Sequence, residues 1–221
     1  MIFTLYLSRN FNQPLMKHLC LIFFMVALAS GLSGQPFAGG IKGGMAATQV
    51  AGDTYGGYTK AGINAGFFVS LELSEKWFVL MELAFVQKGS RFNPNPDLVE
   101  RNAYLLRLNY AELPFMLQFR KGHFALGAGL SADFLLSHYE EVNYFVVETD
   151  DWRKLCLNSV VGVQYRLGNQ WKLDFRTVNS ITSIRKNAVP GSVRRYERGF
   201  GQYNDGLILS LHYTILPSAK R

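Results

Sequence analysis

Residues 171–176 read Trp-Lys-Leu-Asp-Phe-Arg, an apolar and a charged residue in strict alternation. Successive side chains of a strand point to opposite faces, so Trp171, Leu173 and Phe175 share one face and Lys172, Asp174 and Arg176 the other. The same period returns along most of the chain. One such strand fits the edge of a soluble sheet. Many of them, joined alternately by short turns and long polar loops, fit a barrel with lipid outside and a polar face within.

Apolar residues make up 48% of the chain, yet they are interspersed with polar ones rather than massed into spans. The exception is the apolar run 19–32, which follows Lys17 and His18 and leaves through Ala29, Ser30, Gly31, Ser33 and Gly34. A short charged start, an apolar stretch and a small-residue exit describe an export signal. The run is also shorter than the ~20 residues that a transmembrane helix needs. Residues 1–34 are therefore expected to be a cleaved signal peptide, with 35–221 as a single domain. Met16 is an alternative start, which makes 1–15 an over-called upstream segment. An uncleaved anchor is the weaker alternative. Cleavage before Gln35 removes two cations, Arg9 and Lys17, and no acid, taking the formal charge from +7 to +5. It also removes Cys20, so Cys156 has no internal disulfide partner and reads as a small strand side chain.

Eight strands are expected: 39–48, 60–73, 77–88, 104–120, 123–137, 155–166, 171–183 and 203–215. Short turns follow the second, fourth and sixth, and long loops follow the odd-numbered strands. Both ends of the mature chain then lie on the short-turn side, which faces the periplasm in outer-membrane barrels. In the fourth strand the apolar set changes from Tyr104, Leu106, Leu108 and Tyr110 to Leu113, Phe115, Leu117 and Phe119. One extra residue flips a strand's register, and proline is tolerated at bulges, so a bulge is expected between Ala111 and Pro114. Trp77, Trp171, Tyr165 and Tyr213 suit an interfacial girdle, with Tyr104 and Tyr203 as an outer ring.

Several local words, in order, resemble the PorT-like family of Gram-negative outer-membrane β-barrels. They are Gly40-Ile41-Lys42-Gly43-Gly44, Glu82-Leu83 leading to Gln87-Lys88-Gly89-Ser90, Tyr110-Ala111-Glu112-Leu113-Pro114, and Gly127-Ala128-Gly129. The resemblance spans essentially the whole mature chain. It implies an all-β fold, an eight-stranded antiparallel up-and-down transmembrane barrel, with some relatives tied to protein secretion. The C-terminal residues 216–221 depart from the usual aromatic barrel ending.

The mid-strand charges set the inside. A midplane Arg or Lys facing lipid costs ~2–4 kcal/mol, so the charged faces are expected to point inward. The expected lumen ion pairs draw on Lys42, Glu82, Arg107, Glu112, Asp133, Arg166, Lys172, Asp174 and Arg176, with Glu72 and Arg120 nearby. They read either as a narrow ion path or ligand pocket, or as a plug of paired buried charge; the plug is favoured because buried charge demands pairing. A soluble lipocalin-like barrel with the opposite sidedness remains open on strand pattern alone.

The loops hold the candidate partner sites. Residues 138–152 carry Glu140, Glu141, Glu148, Asp150 and Asp151 with no base; residues 184–202 carry Arg185, Lys186, Arg194, Arg195 and Arg198 against one acid, Glu197. Neighbouring loops of opposite charge either cap each other or bind separate partners. The arginines suit lipopolysaccharide phosphates, while the acidic loop lacks EF-hand spacing. Polar loops with weak ion pairs are the bland reading. No metal site, cofactor or catalytic residue is expected, and nucleic acid does not suit an exported barrel. Ser137 and His138 are consecutive in a strand and face opposite ways. The expected function is a non-enzymatic outer-membrane barrel, structural or partner-binding in envelope maintenance or protein export. The partners expected are outer-membrane lipid, lipopolysaccharide, and envelope or secretion proteins. A small enzyme acting on lipid is the alternative, and eight strands disfavour a pore.

Overall fold

The computed structural model describes residues 37–94, 103–187, 189–195 and 199–216; the expected signal segment, 1–34, lies outside them. The strands are β1 (Phe37–Ala51), β2 (Lys60–Glu72), β3 (Trp77–Phe92), β4 (Tyr104–Lys121), β5 (Phe124–Val142), β6 (Phe145–Val146), β7 (Leu155–Arg166), β8 (Trp171–Ser180) and β9 (Tyr203–Leu216). Neighbours pair antiparallel in the order β1-β2-β3-β4-β5-β7-β8-β9, and β9 returns to β1, so eight strands close a ring without free edges. The two-residue β6 lies outside the ring as the return arm of a hairpin on β5.

Local chemistry fixes the turns. At 73–76, Trp77 N–H donates to Ser74 Oγ (3.1 Å), while the Leu73 and Ser74 amides donate to Trp77 O (2.9 and 3.0 Å). Lys121 pairs with Phe124 across a two-residue turn, where Gly122 supplies the positive φ of 63°. The β5–β6 hairpin places Asn143 and Tyr144 at φ 52° and 68°, the left-handed pair that a type I′ turn requires.

The wall is uneven. β8 has 10 residues, about the 9–11 that cross a bilayer, whereas β3, β4 and β5 have 16, 18 and 19. The surplus forms a tall wall at the long-loop end. On this wall the expected bulge of the fourth strand is absent. Its register against β3 runs unbroken from Trp77↔Phe119 to Phe92↔Tyr104, and its even-numbered residues face inward throughout. What changes along β4 is which side of the wall is apolar. Leu113, Phe115 and Leu117 face out, whereas Leu106, Leu108 and Tyr110 above them face in and are buried. The bulge lies one strand over. Asn109 pairs with Ser137 and Tyr110 with Leu135, leaving Leu136 of β5 as the extra, exposed residue.

Polar side chains mark the top of the outward apolar belt. Gln87, Asn109 and Ser137 pair across β3, β4 and β5, with Asn109 Nδ2 donating to Ser137 Oγ at 2.8 Å. Gln49, Asp205 and Asn179 do the same across β1, β9 and β8, with Asn179 Nδ2 donating to Asp205 Oδ1 at 2.8 Å. Ring pairs mark the bottom: Trp77 with Phe119 (5.0 Å between centroids), Phe124 with Tyr165 (4.8 Å) and Trp171 with Tyr213 (4.7 Å). From Phe119 to Asn109 a strand at ~3.3 Å per residue and ~40° tilt rises about 25 Å, the height of an outer-membrane apolar band. The expected outer ring of Tyr104 and Tyr203 does not form: Tyr104 is buried in the interior, and Tyr203, on the same face of β9 as Asp205, is covered by Arg195 at 5.1 Å from its ring.

The interior is layered. Phe68, Phe78, Leu80 and Met116 pack towards the short-turn end, charged side chains fill the middle, and Val50, Leu106, Leu108, Tyr110, Trp152 and Ile184 pack under the long loops. Cys156, also buried, faces this interior.

Candidate functional site: the outer cap and the lumen beneath it

The middle layer holds two charge clusters. In the first, Glu82 of β3 accepts two hydrogen bonds from the Arg176 guanidinium (both 2.9 Å) and one from Lys42 Nζ (2.5 Å). Arg176 Nε also donates to Asp174 Oδ1 at 2.6 Å. These are charge-assisted bonds in a site closed to water, where each ion would be costly without the others. In the second, Lys88 Nζ lies 2.6 Å from Asp133 Oδ2 and 4.0 Å from Glu112 Oε2, and Ser131 Oγ donates to Asp133 Oδ1 (2.8 Å) and Glu112 Oε1 (3.3 Å). Strand periodicity already turns Lys88 inward, but its partners lie on β4 and β5, and no sequence pattern specifies them.

Six of the nine expected lumen residues therefore lie in this layer: Lys42, Glu82, Glu112, Asp133, Asp174 and Arg176. Three do not. Arg107 is on the outer surface, because the tall wall stands in water and carries its polar side outward. Arg166 is exposed and Lys172 half-buried at the short-turn mouth, where the strands end before reaching the charged layer. Arg120 pairs there with Glu72 at 3.1 Å.

Above the lumen, the acidic and basic segments are joined to each other. Arg185 donates to Glu140 Oε1 (2.6 Å), Asp151 Oδ1 (2.7 Å) and Gln202 Oε1 (2.9 Å), and its guanidinium lies 3.8 Å from the Trp152 ring centroid. Burial opposes its charge, but Glu140 and Asp151 outweigh that and hold its pKa above the ordinary value. Tyr104 OH donates to Glu140 Oε1 at 3.0 Å. Backbone bonds zip the same segments: Arg153 N–H to Ile184 O (2.9 Å) and Lys186 N–H to Asp151 O (2.7 Å). Gln202 Nε2 reaches Gly52 O (3.1 Å), which ties the cap to the end of β1.

This geometry assigns the expected loop residues different tasks. Glu140, Asp151 and Arg185 are interior members of the cap. Glu141 accepts a bond from Tyr139 OH at 2.5 Å, and Arg195 grips Asp205 with two bonds of 2.7 Å. Asp150, Lys186 and Arg194 stay exposed, with Lys186 Nζ donating to Asp150 O (2.9 Å) and Arg194 lying 5.3 Å from the Phe200 ring. Arg198 lies outside the described residues. The expected acidic loop is also shorter than 138–152, because β5 continues to Val142 and His138 turns inward towards Trp152. The β5–β6 tip was missed. Tyr144, Phe145 and Val146 are 72%, 77% and 59% exposed there, and the sequence shows only an apolar word inside an acidic segment.

A serine–histidine pair does occur, at Ser210 Oγ and His212 Nε2, 3.3 Å apart and buried in the lumen. The nearest carboxylate, Glu82, faces that same nitrogen at 3.9 Å, and Nδ1 has no partner. A catalytic triad requires the acid on the other nitrogen. Among the described residues, no group of three or more His, Cys, Asp or Glu side chains is placed to hold a metal ion.

The family model described as outer membrane protein beta-barrel domain matches residues 29–186. The chain belongs to that family. This outer-membrane barrel matches no curated protein at the level of sequence. Among solved structures it is similar to Ail, the attachment invasion locus protein of Yersinia pestis, crystallised with the heparin analogue sucrose octasulfate. That similarity has a TM-score of 0.50 at 15% identity and covers 81% of this chain and 99% of Ail. Neisserial surface protein A is 10% identical, with a TM-score of 0.46 over 82% of this chain and 99% of its own. At such identities the likeness to Ail is one of fold. The protein is an eight-stranded barrel of the outer membrane, and the soluble lipocalin-like alternative is set aside by the family match.

Proposed function

We propose that this barrel, PorT-like and from a Gram-negative envelope, neither conducts nor catalyses. Its role is to support the envelope or protein export by binding partners at its outer face. The observation that carries this reading is the filled lumen: Glu82, Arg176, Lys42 and Asp174 block the middle, with apolar layers below and above. A path for solutes would need those ion pairs to open. The Ser210–His212 pair lacks both a properly placed acid and access for a lipid chain, which weighs against the lipid-enzyme alternative. At the outer face, Tyr144, Phe145 and Val146 offer an apolar contact, and Lys186 and Arg194 of the basic loop, with Arg91, Arg107 and Lys154 of the tall wall and its neighbour, are exposed cations available to lipopolysaccharide phosphates.

The test is reconstitution in planar bilayers containing lipopolysaccharide, followed by mass spectrometry of the recovered lipid. The expected result is no unitary current steps and an unchanged lipid profile. Regular conductance steps would make it a pore, and a new deacylated or acyl-transferred lipid would make it an enzyme.

A further inference from the structure

The short-turn end of the lumen opens into a cavity of about 160 Å³. Exposed residues of two turns, Gly122, His123 and Asn169, form its rim, and the buried Gln164 and Thr214 lie deeper. Three strands bring cations to it: Arg120 from β4, Arg166 from β7 and Lys172 from β8. Glu72 is the one carboxylate among its lining residues, and Arg120 already holds it at 3.1 Å. Arg166 and Lys172 are left without an ion-pair partner among the described residues, and the Lys172 ammonium faces the Phe68 ring at 5.7 Å. Two buried neutral groups line the same space with nothing to bind. Gln164 is 3% exposed and its Nε2 has no partner; Thr214 is 5% exposed and its Oγ1 has none.

This is a set of donors without an acceptor. In the charged middle layer of the lumen each cation is matched, Lys42 and Arg176 by Glu82 and Lys88 by Asp133, while the buried Lys60 nearer the long loops donates to Ala61 O at 2.6 Å. Buried polar groups in folded proteins find partners, and beside Gln164 and Thr214 the half-buried Lys172 and the exposed Arg166 add positive charge that no carboxylate here offsets. The missing partner is therefore an anion. At ~30 Å³ per water the cavity holds about five waters, room enough for a phosphate group. The unpaired donors come from three strands, β7, β8 and β9, which suits the several oxygens of a tetrahedral group better than a planar carboxylate.

We propose that the periplasmic mouth of the barrel binds a phosphate-type oxyanion through Arg166 and Lys172, with Gln164 Nε2 and Thr214 Oγ1 completing the donor set. The group comes either from a free phosphate or phosphomonoester in the periplasm or from a phospholipid headgroup of the inner leaflet. The site is remote from the outer cap, and its existence does not depend on the role assigned to that cap.

The test uses the refolded barrel in dodecyl maltoside, with its heat-modifiable gel shift as the criterion of folding. Inorganic phosphate is titrated by calorimetry. Saturable binding is expected that weakens with added salt, falls by about tenfold or more in Arg166→Gln/Lys172→Met, and by a smaller factor in Gln164→Leu. In a parallel arm, phosphatidylglycerol nanodiscs are followed by phosphorus NMR. A bound headgroup signal that the double variant loses, without saturation by inorganic phosphate, assigns the site to lipid; the reverse assigns it to a free phosphate. Either pattern supports the oxyanion site. Folded wild-type barrel that responds in neither arm, or a double variant that responds like wild type in both, overturns it.

Discussion

The lower and upper halves of this barrel are built on opposite rules from the same strands. In the lower half Leu113, Phe115 and Leu117 face lipid, while Glu82, Arg176 and Lys42 share the lumen. In the upper half Leu106, Leu108 and Tyr110 form the core, while Arg107 and Asn109 face outward. No break in the register of β4 against β3 marks the change. The solvent outside the wall changes from hydrocarbon to water, and the apolar side follows the dry environment in each case. The two halves should accordingly fail in different ways.

The largest effect is expected from the lower half's charges. Glu82→Gln removes the carboxylate that Lys42 and Arg176 share, leaving buried cations short of a partner, and the expected loss is about 3–5 kcal/mol. Urea titration of the barrel refolded into liposomes measures it. A loss under about 1 kcal/mol would mean that water reaches the cluster, against the burial on which the plug rests.

Next comes the boundary itself. Phe115→Arg and Asn109→Arg place the same charge on the outer face of the same strand, below and at the polar row. The first should cost about 2–4 kcal/mol and the second about 0–1 kcal/mol, following the depth dependence of outer-membrane barrels. Equal costs would place the membrane elsewhere along β4 and dissolve the contrast between the halves.

The strands themselves were legible, because a period of two survives in every crossing segment and the turn–loop rhythm sets their order. The expected and observed starts of β2, β3, β4, β7, β8 and β9 coincide. Sidedness was legible only while the outside was lipid. At Tyr104 to Tyr110 the alternation is just as clear, but its meaning inverts, and a local pattern read without knowledge of the bilayer's height turns into a bulge that β4 does not have. The same gap misplaced Arg107 and Tyr104. Of the candidate sites, the opposed charges of the two loops were visible as composition. The central place of Arg185 among Glu140, Asp151, Gln202 and Trp152 was not, since it depends on how far β5 rises beside the returning loop.

The smallest effect tests the upper half at its rim. Asp53 follows β1 in the outer loop; its Oδ1 accepts the Tyr55 N–H at 2.9 Å, and its carboxylate is buried close to Ser90. Burial raises its pKa above the ordinary carboxylate range, only partly offset by its hydrogen bonds. The folded loop thus binds a proton more tightly than the unfolded chain. Its contribution to stability is full below the unfolded pKa and is lost as pH rises through the raised folded value. The protection factor of the Tyr55 amide, the intrinsic exchange rate over the observed one at each pH, should consequently rise on acidification through that window. Asp53→Asn, which carries no charge to desolvate, should show a high protection factor already at neutral pH that no longer varies with pH. If the variant instead exchanges faster, the carboxylate is held by water at an open rim, and the upper half is less dry at its edge than its core of Leu106, Leu108 and Tyr110 implies.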